Sequence, residues 1–263
     1  MELDPINETP SAGRASLGWQ PIAGWREGPV KLLRKEDVVI GAPGGPLDVH
    51  GDETEAALLV NEKITAFNWC TYEGTVGQRL VRLTSQDCDV SLRAFFQSVE
   101  TPVPPHQSLV AHFAEILALL AAGSYTLFLE EIPADAYVVE IEDEPEEGME
   151  QTGFYAGFGA MIATQPVARL SAAVVERLTA DMHGGARPVV LTLAAAGGWC
   201  EFIIDGHHKL SAYRRAGIPA LRLHIMKRGS ERLPLTELLA LAPETHALRE
   251  TFTAHRRANE AGG

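Results

Sequence analysis

Apolar residues along this chain recur at two spacings, and together they predict a mixed chain of short strands and a few helices. Val38-Val39-Ile40 is a short apolar run that stops at Gly41-Ala42-Pro43-Gly44-Gly45-Pro46. Ala56 to Val60 and Ile64 to Trp69 flank Asn61-Glu62-Lys63, the layout of a β-hairpin. Arg79 to Leu83, Leu92 to Phe96, Tyr125 to Leu129 and Tyr137 to Ile141 predict further strands. Leu109, Phe113, Ile116, Leu117 and Leu120 fall at helical spacing, so a helix is predicted over Leu109 to Ala122 with Gly123 as its stop.

The second half has the clearer pattern. Phe158 to Ala163 is apolar. Ser171 can cap a helix that carries Val174, Val175, Leu178 and Met182 on one face and ends at Gly184-Gly185. Pro188-Val189-Val190-Leu191 and Phe202-Ile203-Ile204 predict strands joined by an Ala/Gly turn at 194–198. A helix then begins at His207 and runs to Ala216, with Gly217 just past its end and Pro219 beyond. Ala220 to Ile225 is a third strand, and 231–263 reads as one or two amphipathic helices with a polar tail.

Charge divides this pattern in two. The 263 residues carry a formal net charge of −13, but residues 1–150 hold 9 Lys/Arg against 26 Asp/Glu and residues 151–263 hold 13 against 9. Seven of the acids fall in Glu140 to Glu150 around Pro145 and Gly148, the composition of a solvated linker. The expected organisation is therefore an irregular arm at 1–30, where Trp19 and Trp25 can tether it to a surface. An α+β domain at 31–141, an acidic linker at 142–152, a second domain at 153–230 and C-terminal helices at 231–263 follow. Three scattered cysteines, Cys70, Cys88 and Cys200, make no disulfide framework and fit a reducing compartment. Met1 to Glu8 lacks the basic-then-apolar run of a signal peptide, and Leu109 to Ala122 is too short and too polar at His112 and Glu115 to span a bilayer. A cytoplasmic protein with no membrane partner is the expectation.

One motif carries chemistry: Asp205-Gly206-His207-His208-Lys209, where an apolar strand turns into a helix. The first N–H groups of a helix lack intrahelical partners and, with the helix dipole, attract anions. Gly206 lets a phosphate approach the backbone, Lys209 adds a positive charge, and His207 and His208 offer donors or acceptors. The two histidines are adjacent and project differently, so one is expected to reach a reacting group and the other to be structural, with His208 favoured for chemistry. Arg187, just before a strand, is either a phosphate-neutralising group or a surface arginine. His50-Gly51-Asp52-Glu53-Thr54-Glu55 has the composition of a metal cluster without a ligand spacing and reads as an exposed acidic loop. Trp69-Cys70-Thr71-Tyr72-Glu73-Gly74 reads as a strand ending in a turn, and Gly157-Phe158-Gly159 lacks the third glycine of a dinucleotide motif.

The stretch from Ile162-Ala163-Thr164-Gln165-Pro166 through Arg187-Pro188-Val189-Val190-Leu191 to Phe202-Ile203-Ile204-Asp205-Gly206-His207-His208-Lys209 and Ala216-Gly217-Ile218-Pro219-Ala220 resembles the ParB/sulfiredoxin-like superfamily. The order and spacing match over residues 157–228, and the turn is most similar to that of the free-serine kinases. The resemblance implies an α/β nucleotide-binding domain whose turn holds phosphates. His207 stands where sulfiredoxins carry a reactive cysteine, which argues against that chemistry. The turn lacks the "GERR" pattern of partition proteins, and only residues 229–263 follow the domain, too few for their helix-turn-helix domain. Gln165 stands where the kinases carry a glutamate base, so a carboxylate from the first half, such as Glu73 or Glu130, is the candidate replacement.

The expected function is phosphoryl transfer or hydrolysis on a small molecule, dependent on ATP or another nucleoside phosphate with Mg²⁺. Gly206, His207, His208, Lys209 and Arg187 would hold the nucleotide, Asp205 would place the metal or a nucleophile, and His208 would stabilise developing charge. Two alternatives stand beside it. One is a non-catalytic nucleotide-sensing or protein-interaction module with its partner on 31–141; the other is nuclease-like processing. The acidic first half argues against a long nucleic acid as partner.

Overall fold

Tyr125, Leu127 and Leu129 alternate with Thr126, Phe128 and Glu130, and this period of two makes a strand of the region after residue 120. The computed structural model describes residues 30–52, 55–70, 76–80, 103–136, 138–139, 160–165, 167–198, 200–241, 253, 256 and 257. Its strands are β1 (Lys31–Gly44), β2 (Leu47–Gly51), β3 (Glu55–Val60), β4 (Lys63–Cys70), β5 (Val76–Leu80), β6 (Ala121–Ile132), β7 (Val138–Val139), β8 (Ala160–Ile162), β9 (Val190–Ala195), β10 (Cys200–Asp205) and β11 (Ala220–Arg228). Its helices are α1 (Leu109–His112), α2 (Ala114–Leu117), α3 (Ala172–His183), α4 (His207–Ala216) and α5 (Leu235–Leu241). The fold is mixed α+β.

Two sheets result. Seven strands run in the order β1-β6-β11-β9-β10-β8-β7, and four in the order β2-β3-β4-β5. The seven-stranded sheet is continuous across the charge boundary: β1 and β6 come from residues 31–141, and β6 pairs antiparallel with β11 from Ser124↔Arg228 to Ile132↔Ala220. The acidic linker, the N-terminal arm to residue 29, the strand at 92–96 and residues 71–74 lie outside the described residues.

Strand alternation sorts the core into layers. Leu127, Leu129, Leu191, Leu193, Phe202, Leu223 and Ile225 face Val49, Ala56, Leu58 and Ala66 of the smaller sheet, with α1 and α2 in the same cluster. The opposite face of the large sheet packs Ile132, Val190, Ile203 and Ala220 against Leu178 and Met182 of α3 and Leu210 and Tyr213 of α4. Ala57, Leu59, Ile64 and Phe67 turn the other way, against Leu233, which precedes α5, and Leu238 of α5. Burial on both faces explains why β3 reads as an unbroken apolar run. Lys227 on β11 bonds Asp48 on β2 and joins the two sheets; burial opposes the Asp48 charge, but His50 and Lys227 outweigh it and lower its pKa.

The predicted hairpin is β3–β4, closed by Asn61 (φ 51°) and Glu62 (φ 60°) in the left-handed region that two-residue hairpins require. The helix predicted over Leu109 to Ala122 is corrected. Two one-turn helices end at Leu117, and the carbonyls of Leu119 and Leu120 accept the N–H groups of Leu47 and Gly45 at 2.8 and 2.6 Å. A Cβ on Gly45 would lie 2.3 Å from the Leu119 carbonyl carbon, so this close backbone crossing needs a glycine. From Ala121 the chain is extended, and Gly123 lies within β6 opposite Ile40. The acidic stretch after β2 is also not an exposed loop at its far end: Glu55 is buried and bonded to Arg256, Nε to Oε2 at 2.8 Å.

Candidate functional site

The predicted strand–turn–helix is present. β10 ends at Asp205, Gly206 turns with φ +126°, and α4 begins at His207; Leu210 N–H closes the first turn on the Gly206 carbonyl at 2.7 Å. The reason for the glycine lies inside the fold. A Cβ at Gly206 would meet Val190 Cγ1 at 2.8 Å and Val190 Cα at 3.1 Å, so β9 fills the space a side chain would need.

Lys209 turns inward. It is 5% exposed; its Nζ donates to the Val189 carbonyl at 2.9 Å and forms an ion pair with Asp205. It is thus a buried tie between α4 and the strand before it rather than a mobile charge on the first turn. Asp205 faces an ammonium, which disfavours a Mg²⁺ ion on the same carboxylate. Among the described residues no group of three or more His, Cys, Asp or Glu side chains is placed to hold a metal.

Both histidines act as acceptors. Thr164 N–H donates to His207 Nε2 at 3.0 Å, and Ser171 N–H donates to His208 Nε2 at 2.9 Å. An accepting Nε2 places the ring proton on Nδ1 and leaves the imidazole neutral. Burial, then the neighbouring His208, pushes His207 down to about 3. Burial lowers His208 as well, against the opposing pull of Asp205. The pair ties Thr164, just past β8, and Ser171, the N-cap of α3, to the N-terminus of α4. Thr164 adds a hydroxyl donation to the Ile203 carbonyl at 2.6 Å. Thr164 and Ser171 were legible only in part: Ser171 is the N-cap of α3, as its position predicts, but nothing in sequence marks its own N–H as the histidine's donor.

The sign of the resulting pH dependence follows from the lowered values. Each histidine is neutral when folded and takes up a proton on unfolding, so its contribution is full above 6.5 and is lost as pH falls toward the folded value. Between pH 6.5 and 4.5, above the ordinary glutamate range, His207 alone should remove up to about 1.4 kcal/mol per pH unit. Urea unfolding at a series of pH values measures this slope. His207→Gln, which keeps an acceptor and loses the titration, should flatten it; an unchanged slope contradicts the assignment.

Arg187 is not at the turn. Val189 lies beside Lys209 and Pro188 accepts from the Tyr213 hydroxyl, so the chain runs along α4 and places Arg187 at its far end. There its Nη2 donates to the Pro219 carbonyl at 2.8 Å and to Glu131 at 3.3 Å, and its guanidinium lies 5.8 Å from the Tyr213 ring centre. Glu130 pairs with Arg222 instead of supplying a base to the turn, and Glu73 lies outside the described residues. A cleft beside the turn is lined by Gln165, Val167, His207, Ser211 and Arg214, with free volume of about 20 Å³. That is room for a water molecule, not for an enclosed nucleotide.

A second polar cluster lies in the interior of the large sheet. Arg222 reaches Glu130 on β6 and, across β9, Glu201 on β10, both at 2.5 Å. Glu201 also accepts from Thr192 at 2.6 Å and lies 2.7 Å from His224 Nδ1. Burial works against the Arg222 charge, but Glu201 and Glu130 outweigh it and hold it above its ordinary range. The signal was present: Arg222 and His224 alternate with Leu221, Leu223 and Ile225 on a strand buried on both faces.

No protein-family model, no curated protein and no solved structure matches the chain. No helix among the described residues is long and apolar enough to cross a membrane.

Proposed function

We propose that the chain is a nucleotide-binding protein of ParB/sulfiredoxin type that holds a nucleoside phosphate at the start of α4 and does not transfer it. The observation that carries the binding half is the β10–Gly206–α4 junction, which leaves the N–H groups of residues 207–209 without intrahelical partners at the positive end of a ten-residue helix. Ser211, one turn on, and Arg214, two turns on, line the adjacent cleft. Support for the non-catalytic half is the engagement of every side chain expected to do chemistry: Asp205 with Lys209, His207 with Thr164, His208 with Ser171. Transfer to a small acceptor also needs a water-excluding site for two substrates, and the small cleft favours a phosphate at its rim with the nucleoside outside. This is the sensing form of the superfamily resemblance, in a protein expected in the cytoplasm.

Calorimetric titration of the full chain with ATP, CTP, GTP and ADP, with and without Mg²⁺, tests it. At least one should bind, and Arg214→Glu, a change on an exposed rim residue, should weaken that binding about tenfold or more. Absence of binding, or binding indifferent to Arg214→Glu, overturns the proposal.

A further inference from the structure

Among the described strands β1 forms one of the two edges of the large sheet, paired with β6 on one side only. It is also where apolar surface concentrates: of four exposed large hydrophobic residues among those described, Leu32 (44%), Leu33 (38%) and Val39 (72%) lie on it. One face of the strand is committed inward. Arg34 reaches the Pro104 carbonyl, Glu36 accepts from Ser108 Oγ and Leu109 N–H, and Val38 and Ile40 pack on the core. The other face presents Lys35, Asp37 and Val39, all exposed; within their own chain Asp37 accepts from Thr126 Oγ1 at 2.6 Å and lies 3.5 Å from Arg228, and the Lys35 ammonium lies 5.6 Å from the Phe128 ring centre.

Proteins guard open edges with charges, bulges and prolines. Here the irregularities bracket the edge instead of interrupting it. Register shifts lie at Leu32/Arg34 and Ile40/Gly44, and the pairing between them is regular from Arg34↔Leu129 to Ile40↔Gly123. The charges in that window are self-complementary. A two-fold axis perpendicular to a sheet brings together residues of the same face. Centring it on Glu36 sets Lys35 opposite Asp37 of the second copy, twice over, and carries Val39 toward the shifted segment of the second copy, where Leu32 and Leu33 are exposed. Centring it on Lys35 or Asp37 would oppose like charges on the exposed face. The same axis opposes the two Glu36 carboxylates on the inward face, a like-charge cost; each is bonded to Ser108 Oγ and Leu109 N–H within its own chain.

We propose that β1 is a homodimer interface, in which two copies pair antiparallel about Glu36 and join their sheets into one. The interface is independent of any ligand at the 205–209 turn. Cross-strand ion pairs and apolar pairs supply the specificity and backbone hydrogen bonds the bulk of the attachment.

Sedimentation velocity of the full chain over a concentration series tests this. The wild type should dimerise. Lys35→Asp, a change at an exposed side chain, should raise the dimer Kd about tenfold or more, since it replaces two attractions by two repulsions. Lys35→Asp with Asp37→Lys should restore it, because the swapped pair is again complementary, while Val39→Lys should weaken it independently. A monomeric wild type, a dimer insensitive to Lys35→Asp, or a double variant that fails to recover overturns the proposal.

Discussion

Gly206→Ala is expected to lower stability by about 2–5 kcal/mol, read as a fall in the urea midpoint at unchanged slope. Two costs add. The backbone at Gly206 sits at φ +126°, where an L side chain is strained, and the new Cβ would meet Val190 Cγ1 at 2.8 Å in a fully buried layer. Gly217→Ala separates them. Gly217 has φ +67° and open space around a would-be Cβ, so its substitution should cost only about 1 kcal/mol. Equal effects at the two positions would mean that the Val190 contact contributes nothing. The comparison bears on function, because loss of ligand binding in a Gly206 variant would report the fold and not a phosphate contact.

Arg222→Met should be worse tolerated than its size suggests, with a loss of about 3–5 kcal/mol. Arg222 is 4% exposed and compensates Glu130 and Glu201, which are 7% and 0% exposed. Removing it leaves two carboxylates close together in the interior of the sheet. The prediction separates lost packing from uncompensated charge. Adding Glu130→Gln and Glu201→Gln to Arg222→Met should recover most of the stability, since the amides keep acceptors for Thr192 and His224 without the charge. Recovery is measured by the same urea titration, and a triple variant no more stable than the single one contradicts the electrostatic account.

Local signals in the sequence were informative wherever the neighbouring chain segment was local too. Ser171, Gly184, Gly206, Gly217 and the turn at Asn61-Glu62 mark their elements because caps and turns are decided within a few residues. The helical spacing from Leu109 to Leu120 misled because long-range pairing won: β1 and β2 recruit the carbonyls at 119–120 and the backbone from Ala121. The charge boundary does not coincide with a break in strand pairing, since β6 pairs with β11 across it and net charge is a surface property. At the candidate site, composition identified Asp205, His207, His208 and Lys209 but not what they touch. A lysine on a first turn reads as a free cation in sequence; here the chain before β9 supplies a carbonyl twenty residues away in sequence, and the charge is turned inward.

The proposed function requires that the 205–209 turn bind phosphate without transferring it. The most direct measurement is ³¹P NMR of ATP and Mg²⁺ incubated with the full chain. Nucleotide phosphate resonances should shift or broaden in proportion to bound protein, with no inorganic phosphate and no new phosphorylated species accumulating. Accumulation of either product, above a matched sample without protein, would contradict it.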